Sequence, residues 1–174
     1  MQIIGHAIVS VDGKIATADG SVPPALRNNV DWQRFQEQLN AADLVVLGRQ
    51  GHERFSNPGR RRLVATRSVP TLMQDPHDKK ATFWNPAGVS FNAATASLGL
   101  SQGTIAVAGV FDLFCELFTR FDLAESQTLL IRDGLPCFTS GHPRLVLANA
   151  GLTPGNWEML DPEGPVTLTD WRRL

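Results

Sequence analysis

Two apolar runs in this chain each end in glycine, just where a helix is predicted to begin. One run covers 44–47 and is followed by Gly48 and Arg49, and the other covers 104–108 and is followed by Gly109. Free backbone N–H groups at the start of a helix, together with the helix dipole, attract anions. Both junctions are therefore predicted to bind a phosphate or another anion.

The segment that follows the first glycine is strongly basic. Residues 49–67 contain one acid, Glu53, and arginines at positions 49, 54, 60, 61, 62 and 67. The whole chain has a net charge of -1, so this positive charge is local and gives no general attraction to nucleic acid or membrane. Two interpretations remain open: contacts to a phosphorylated ligand, and a solvated arginine face.

Other catalytic motifs are excluded by context or composition. The segment 99–103 matches the Gly-x-Ser-x-Gly pattern of serine hydrolases, with Asp133 and His142 after it. That motif requires a strand before the serine, whereas the predicted strand comes after it, so we reject a hydrolase. The four histidines lack ligand spacing, so no metal site is expected. The chain contains no tyrosine, which excludes a reductase with a tyrosine proton donor.

Apolar runs of strand length alternate with amphipathic stretches, which predicts a parallel-rich sheet with helices packed on it. Strands are predicted at 3–11, 44–47, 63–65, 104–108, 129–131 and 145–147, with antiparallel strands after Gly151 that include 166–168. A helix is predicted at 30–41, capped by Asn28 or Asn29, and a second apolar helical face follows Gly109. The stretch 70–103 is expected to mix loop, short strand and short helix.

Length and composition indicate one domain, which we place at 1–174. Cys115 and Cys137 lie in apolar contexts and are expected to be reduced core thiols. No apolar run approaches the ~20 residues that span a bilayer. We therefore expect a cytoplasmic protein with neither membrane nor nucleic acid as a partner.

Five segments carry a resemblance to a known family. They read, in order, "SVDGKIA" from Ser10, "VDWQRF" from Val30, "DLVVLGRQGHERF" from Asp43, "NPGRRRLVATRS" from Asn57 and "TIAVAGVFDLF" from Thr104. The first resembles the signature that opens the reductase domain of the riboflavin-biosynthesis deaminase-reductase. The others resemble the cleft helix, the Gly-Arg junction, the Pro-Gly-Arg turn with its phosphate-reading turn, and the glycine-rich corner of dihydrofolate reductase-like proteins.

The resemblance implies the fold of dihydrofolate reductase. This fold is a three-layer α/β/α arrangement around a central mixed, mostly parallel sheet, with antiparallel strands at its C-terminal end. The order and approximate spacing of the segments hold from residue 3 to about residue 131.

The resemblance also implies an NADPH site. Its members are Ile15 and Ala16 beside the nicotinamide, Gly48, Arg49, Thr66, Arg67 and Ser68 at the pyrophosphate and the 2'-phosphate, and Ala108 and Gly109 at the pyrophosphate. Arginine beside a hydroxyl-bearing turn would favour NADPH over NADH. The family has a Gly-Gly pair where this chain has Ala108 and Gly109.

The catalytic and substrate residues are implied in the same way. Asp31 matches the substrate-binding carboxylate that helps to deliver a proton, although an acid there also suits the helix dipole. Phe35 matches the aromatic that packs on the substrate ring, and Arg60 matches the arginine that binds the folate carboxylate. Asp12 and Lys14 would lie in the loop that closes over the nicotinamide; the alternative is a tight Asp-Gly turn with Lys14 in solvent.

We therefore expect an NADPH-dependent oxidoreductase that acts on a pyrimidine-like or pterin-like heterocycle, of the 5-amino-6-(5-phosphoribosylamino)uracil reductase type found in riboflavin biosynthesis. The alternatives are dihydrofolate reductase activity and a non-catalytic nucleotide-binding relative. A homodimer is expected, by analogy with the family and from the apolar residues of the C-terminal strands.

Overall fold

A nine-stranded sheet forms the centre of the protein in a computed structural model, which describes residues 1–55 and 57–174. The strands are β1 (Gln2–Val9), β2 (Lys14–Ala16), β3 (Leu44–Gly48), β4 (Arg62–Ala65), β5 (Leu72–Gln74), β6 (Ala81–Trp84), β7 (Thr104–Val107), β8 (Arg120–Ser126), β9 (Leu135–Pro136), β10 (Leu152–Asp161) and β11 (Val166–Arg173). The helices are α1 (Asn29–Ala41), α2 (Arg49–Arg54), α3 (Phe91–Ser97) and α4 (Pro143–Asn149), with 3₁₀ turns at Pro24–Leu26 and Phe111–Phe114.

The sheet is mostly parallel and becomes antiparallel at its C-terminal end, as the sequence predicted. The strand order is β10-β11-β8-β1-β7-β3-β4-β6-β5, while β2 and β9 pair separately. The central pairs from β8 to β6 are parallel, and β11 and β10 are added antiparallel beyond β8. β5 pairs antiparallel with β6 at the opposite edge.

Helices cover both faces of the sheet, which gives the three layers. Val45 and Leu47 of β3 pack on one face with Leu39 of α1. On the other face, the alternate β3 residues join the larger core cluster, which also includes Phe91 of α3 and Leu147 of α4. Because successive strand residues point to opposite faces, the apolar run of β3 is buried on both sides.

The helix α1 begins at Asn29, one residue before the predicted start, and Asn28, one of the two predicted candidates, caps it. The Asn28 side-chain oxygen accepts a hydrogen bond of 2.9 Å from the backbone N–H of Asp31. This cap places Asp31 in the first turn, where its charge suits the helix dipole. Of the α1 side chains, those of Asp31 and Leu39 are buried.

Two of the predicted strands are wrong. Residues 145–147 lie in α4, where Leu147 is buried and Leu145 is 66% exposed, as expected of an amphipathic helix rather than a core strand. Residues 129–131 form a loop. The strand of this region is β8. The hydrophobic pattern did not predict it, because charged residues alternate with its apolar ones.

The predicted helix after Gly109 is also shorter than expected. It is a 3₁₀ turn, and its phenylalanines join an aromatic cluster instead of one face of a long helix. The cluster comprises Phe111, Phe114, Phe118, Phe121 and Phe138, with ring centroids 5.1–6.5 Å apart. Mutual ring packing of this kind stabilises a core without regular helix.

The cysteines are free thiols, as the sequence predicted. Cys137 is buried and Cys115 partly buried, and burial raises the pKa of both thiols. No helix in the described part of the chain is long and apolar enough to cross a membrane.

The chain leaves β1 in a tight turn. The N–H of Ser10 donates to the carbonyl of Lys14, and the N–H of Gly13, which has φ 73°, donates to the carbonyl of Ser10, both at 2.9 Å. The Asp12 carboxylate accepts hydrogen bonds from Ser10 Oγ at 2.6 Å and from the N–H of Ile131 at 3.1 Å. Burial would raise the pKa of Asp12, but these hydrogen bonds outweigh it and lower that pKa below 3.8.

The first prediction concerns the close packing of β1 on the aromatic cluster. A methyl group at Gly5 would overlap the ring of Phe121, which is fully buried and cannot move without displacing its neighbours. We expect Gly5→Ala to lower the free energy of unfolding by about 1–3 kcal/mol, measured by urea denaturation. Gly51→Ala is the control, because a methyl group there meets only Leu47, at 3.9 Å, and alanine favours α2. Equal effects of the two changes would contradict the packing argument.

The second prediction concerns the turn. Because the pKa of Asp12 is lowered in the folded protein, ionised Asp12 stabilises the fold above its unfolded pKa of about 4, and this contribution is lost as pH falls through the lower folded pKa. Asp12→Asn should therefore be less stable than wild type at pH 7, and the difference should shrink towards pH 3. Denaturation at both pH values measures it. A difference that is the same at both would show that the charge of Asp12 contributes nothing.

Candidate active site

The two glycine corners of the sequence lie side by side. β7 is inserted between β1 and β3, and the N–H of Ala108 donates to the carbonyl of Val46 at 2.8 Å. A Cβ built on Gly48 would lie 3.1 Å from Val110, the residue after Gly109. One ligand can therefore contact both corners.

The corner at Gly109 is open. Gly109 has φ 119°, a conformation that favours glycine, and a Cβ built there would meet no protein atom within 4 Å. Val110 follows with φ 50°, so the backbone turns sharply at this edge. Space beside a glycine backbone is what close approach of a diphosphate requires.

The predicted phosphate-reading turn extends the same edge. It follows β4, whose Ala65 pairs with Gly48 of β3. Thr66 Oγ1 lies 2.9 Å from Ser68 Oγ and accepts the N–H of Ser68 at 3.2 Å. Arg67 is exposed and has no hydrogen bond or ion pair within the described chain, so its guanidinium is available to an anion.

Arg49 is also at this edge but already has a partner. It is the first residue of α2 and pairs with Glu53 at 2.6 Å, with both side chains more than half exposed. Exposed pairs of this kind contribute little to stability. Arg49 can therefore exchange Glu53 for a ligand at small cost.

The turn after β1 leads into the segment that holds the remaining cofactor candidates. Lys14 and Ala16 belong to β2, which pairs with β9. Ala16 is buried, and Ile15 packs against the main core cluster. The structure forms the tight Asp-Gly turn, in which the Asp12 carboxylate accepts hydrogen bonds from the Ser10 hydroxyl and the backbone N–H of Ile131.

Asp31 forms a buried pair with His6, which was not among the predicted site residues. His6 Nε2 lies 2.9 Å from Asp31 Oδ1, and the two side chains are 4% and 6% exposed. Phe35 packs on the imidazole with ring centroids 5.1 Å apart and also packs against the apolar cluster of Leu39, Val45 and Leu47. The signal that could have revealed His6 is a polar residue within the otherwise apolar strand β1.

A row of charged residues continues from His6 across the sheet. Asp122 of β8 is the register partner of His6, and Asp170 of β11 is the partner of Asp122. Arg120 pairs with Asp122 at 2.6 Å, and Arg172 pairs with Asp170 at 2.7 Å. Each of these carboxylates thus has its own arginine, whereas the partner of Asp31 is His6.

Arg60 lies apart from this pair, at an open cavity of about 780 Å³ between α1 and the loop before β4. Its guanidinium donates to the side-chain oxygens of Asn40, Gln36 and Asn57 at 2.6–3.1 Å. Arg54 and Arg61 also line the cavity, and the described residues that line it include no carboxylate. The cavity therefore suits an anionic group.

Comparison with known proteins gives structural likeness without close sequence likeness. The sequence matches no protein-family model and no curated protein. A protein provisionally assigned to riboflavin biosynthesis, from Shewanella sp. PV-4, superposes with a TM-score of 0.71 at 16% identity, over 100% of this chain and 99% of that one.

Two further solved structures also superpose on this chain. A diaminohydroxyphosphoribosylaminopyrimidine deaminase/5-amino-6-(5-phosphoribosylamino)uracil reductase from Thermotoga maritima gives a TM-score of 0.65 at 14% identity, over 99% of this chain and 56% of that one. Dihydrofolate reductase from Enterococcus faecalis, in complex with NADP(H) and RAB-propyl, gives 0.69 at 15% identity, over 99% and 96%. The chain therefore has the dihydrofolate reductase-like fold that these proteins share.

Proposed function

We propose that this chain is a reductase that transfers a hydride from NADPH to a pyrimidine-like or pterin-like heterocycle, of the 5-amino-6-(5-phosphoribosylamino)uracil reductase type. The observation that carries the proposal is the shared edge at which the neighbouring parallel strands β7, β3 and β4 lead into Gly109, Gly48 and Thr66. Ligands of open α/β sheets bind at the carboxyl ends of the strands. The fold shared with an NADP(H)-bound dihydrofolate reductase supports the same edge as the cofactor site.

The residues at this edge fit NADPH. The open space at Gly109 admits a diphosphate, and the adjacent corner at Gly48 is close enough to share it. The exposed guanidinium of Arg67, which has no partner within the described residues, suits the 2'-phosphate together with the hydroxyls of Thr66 and Ser68. When bound there, the cofactor would supply the hydride.

The chain itself would supply the proton and the substrate contacts. Asp31 Oδ1 and His6 Nε2 lie 2.9 Å apart, within hydrogen-bond distance, in a buried setting, which suits proton delivery to a heterocycle bound beside them. The basic cavity beside Arg60 would hold the anionic end of the substrate, a phosphate in the riboflavin type or a carboxylate in the folate type. A homodimer remains a prediction.

The third prediction tests the cofactor site. Arg67→Ala should weaken NADPH binding about tenfold, because it removes a charge-assisted contact to the 2'-phosphate, and should leave NADH binding nearly unchanged. Isothermal titration with NADPH, NADH and NADP+ measures this. Lys79→Ala is the control, since Lys79 is an exposed cation just before β6, at the amino ends of the parallel strands and so away from the proposed cofactor site. Failure of wild-type protein to bind any of the three at millimolar concentration would remove the reductase proposal.

The fourth prediction tests Asp31. Asp31→Asn should lower turnover about a hundredfold, because the amide cannot hold the catalytic proton, while NADPH affinity stays the same. The matched control is Glu37→Gln, an exposed carboxylate on the same helix. NADPH oxidation is followed by absorbance with a panel of heterocycles. Equal turnover of Asp31→Asn and wild type would exclude Asp31 from the chemistry.

The non-catalytic alternative is favoured by one observation. The Asp31 carboxylate is covered by His6 instead of lying open to a substrate. If the protein binds NADPH but none of the heterocycles in the panel supports NADPH oxidation, the result would fit this alternative.

A further inference from the structure

We propose that Asn85 is a positioning residue for cofactor choice, because it fixes the turn of Thr66, Arg67 and Ser68 so that the site favours NADPH over NADH. Asn85 acts through Arg67 and not on the cofactor directly. The inference rests on the proposed function, in which this turn contacts the 2'-phosphate, the group by which NADPH differs from NADH.

The phosphate-reading turn leaves the sheet beside Asn85. Trp84 of β6 is the register partner of Ala65 of β4, so Thr66 and Asn85 follow neighbouring parallel strands at the same edge. The N–H of Thr66 donates to the carbonyl of Trp84 at 2.8 Å. After Thr66 the chain forms neither helix nor strand until β5 begins. A segment of this kind keeps a fixed position only where specific contacts hold it.

Asn85 makes two of the contacts that hold the segment 67–71. Its side-chain Nδ2 donates to the carbonyl of Val69 at 2.9 Å, and its backbone N–H donates to the carbonyl of Thr71 at 2.8 Å. Val69 is buried and lies two residues after Arg67. Loss of the side-chain bond would leave the Val69 carbonyl without this donor in a buried place, which is unfavourable.

The turn that carries Asn85 is itself held firmly. The Asn85 carbonyl accepts the N–H groups of Gly88 and Val89 at 3.0 Å and 3.1 Å, and Asn85 Oδ1 accepts the N–H of Ala87 at 3.0 Å. Trp84, whose ring is buried in the main core, donates from Nε1 to the carbonyl of Val89 at 2.9 Å. The turn 85–89 is therefore fixed to the core and can serve as a support.

The two turns also pack without space between them. A Cβ built on Gly88 would overlap the carbonyl oxygen of Pro70. Pro70 lies between Val69 and Thr71, the two residues that Asn85 holds, and its ring restricts φ. A shift of the turn 85–89 would therefore move the segment that carries Arg67.

The position of this segment affects the two cofactors differently. Arg67 is exposed and has no partner within the described residues, so its long side chain loses freedom when it binds a phosphate. If the backbone of the turn were mobile, phosphate binding would have to order that backbone as well. NADH has no 2'-phosphate, so its affinity would not include this cost. Order in the turn therefore favours NADPH.

The test is Asn85→Ala, with dissociation constants for NADPH and NADH measured by isothermal titration. NADPH should bind about three- to tenfold more weakly, and NADH binding should stay nearly unchanged. In the free protein, amide hydrogen exchange across 67–71 should become faster. Asn92→Ala, which changes an exposed asparagine on α3, should alter neither constant.

A double variant tests whether Asn85 acts through Arg67. Asn85→Ala combined with Arg67→Ala should bind NADPH within about twofold of Arg67→Ala alone, because residues that act as a unit are not additive. Equal losses for both cofactors, no loss for either, or losses that multiply in the double variant would overturn the inference.

If Asn85→Ala does not fold, Asn85→Ser takes its place, with the same expected loss. A serine hydroxyl can still accept the N–H of Ala87, but it is too short to reach the Val69 carbonyl. The two proposals fail in different ways. NADPH binding that depends on Arg67 but not on Asn85 contradicts only this inference, whereas no NADPH binding by wild type contradicts the proposed function.

Discussion

The parallel alignment of β1, β7, β3 and β4 is the constraint on which the candidate site depends. Because these strands run the same way, their carboxyl ends meet at one edge, and the insertion of β7 between β1 and β3 brings Gly109 next to Gly48. The two residues are 61 positions apart in the sequence, so only the crossover connection brings them together. Hydrogen bonds of the ladder, such as Ala108 to Val46, then fix their separation.

A second constraint is the cost of burying charge. Asp122, Glu125 and Asp170 are all buried on β8 and β11, and each is paired with an arginine that reaches solvent. An unpaired buried carboxylate is strongly destabilising, so these pairs let charged residues sit within the sheet. Asp31 obeys the same rule with histidine instead of arginine. Its partner is thus an imidazole whose second nitrogen, Nδ1, makes no hydrogen bond within the described residues.

The sequence was sufficient for the features that local patterns encode. The apolar runs predicted β1, β3, β4 and β7, the Asn28 cap predicted the start of α1, and the glycines predicted the corners. The sequence did not predict features that depend on contacts between residues far apart in the chain. β8 alternates charged and apolar residues whose burial depends on arginine partners, and His6 meets Asp31 across 25 positions. The polar position within β1 marks His6 itself, but no local pattern identifies Asp31 as its partner, so the sequence did not predict this pair.

Ala108, which stands where the resembled family has a glycine, does not disrupt the corner. Ala108 is not among the residues with positive φ, and its side chain packs with the apolar cluster under α1. The positive φ falls on Gly109 and Val110. The backbone freedom that glycine provides is needed at the second position of the pair and not at the first. The space beside Gly109 therefore stays open with alanine at position 108, and a diphosphate can still approach the backbone at this edge.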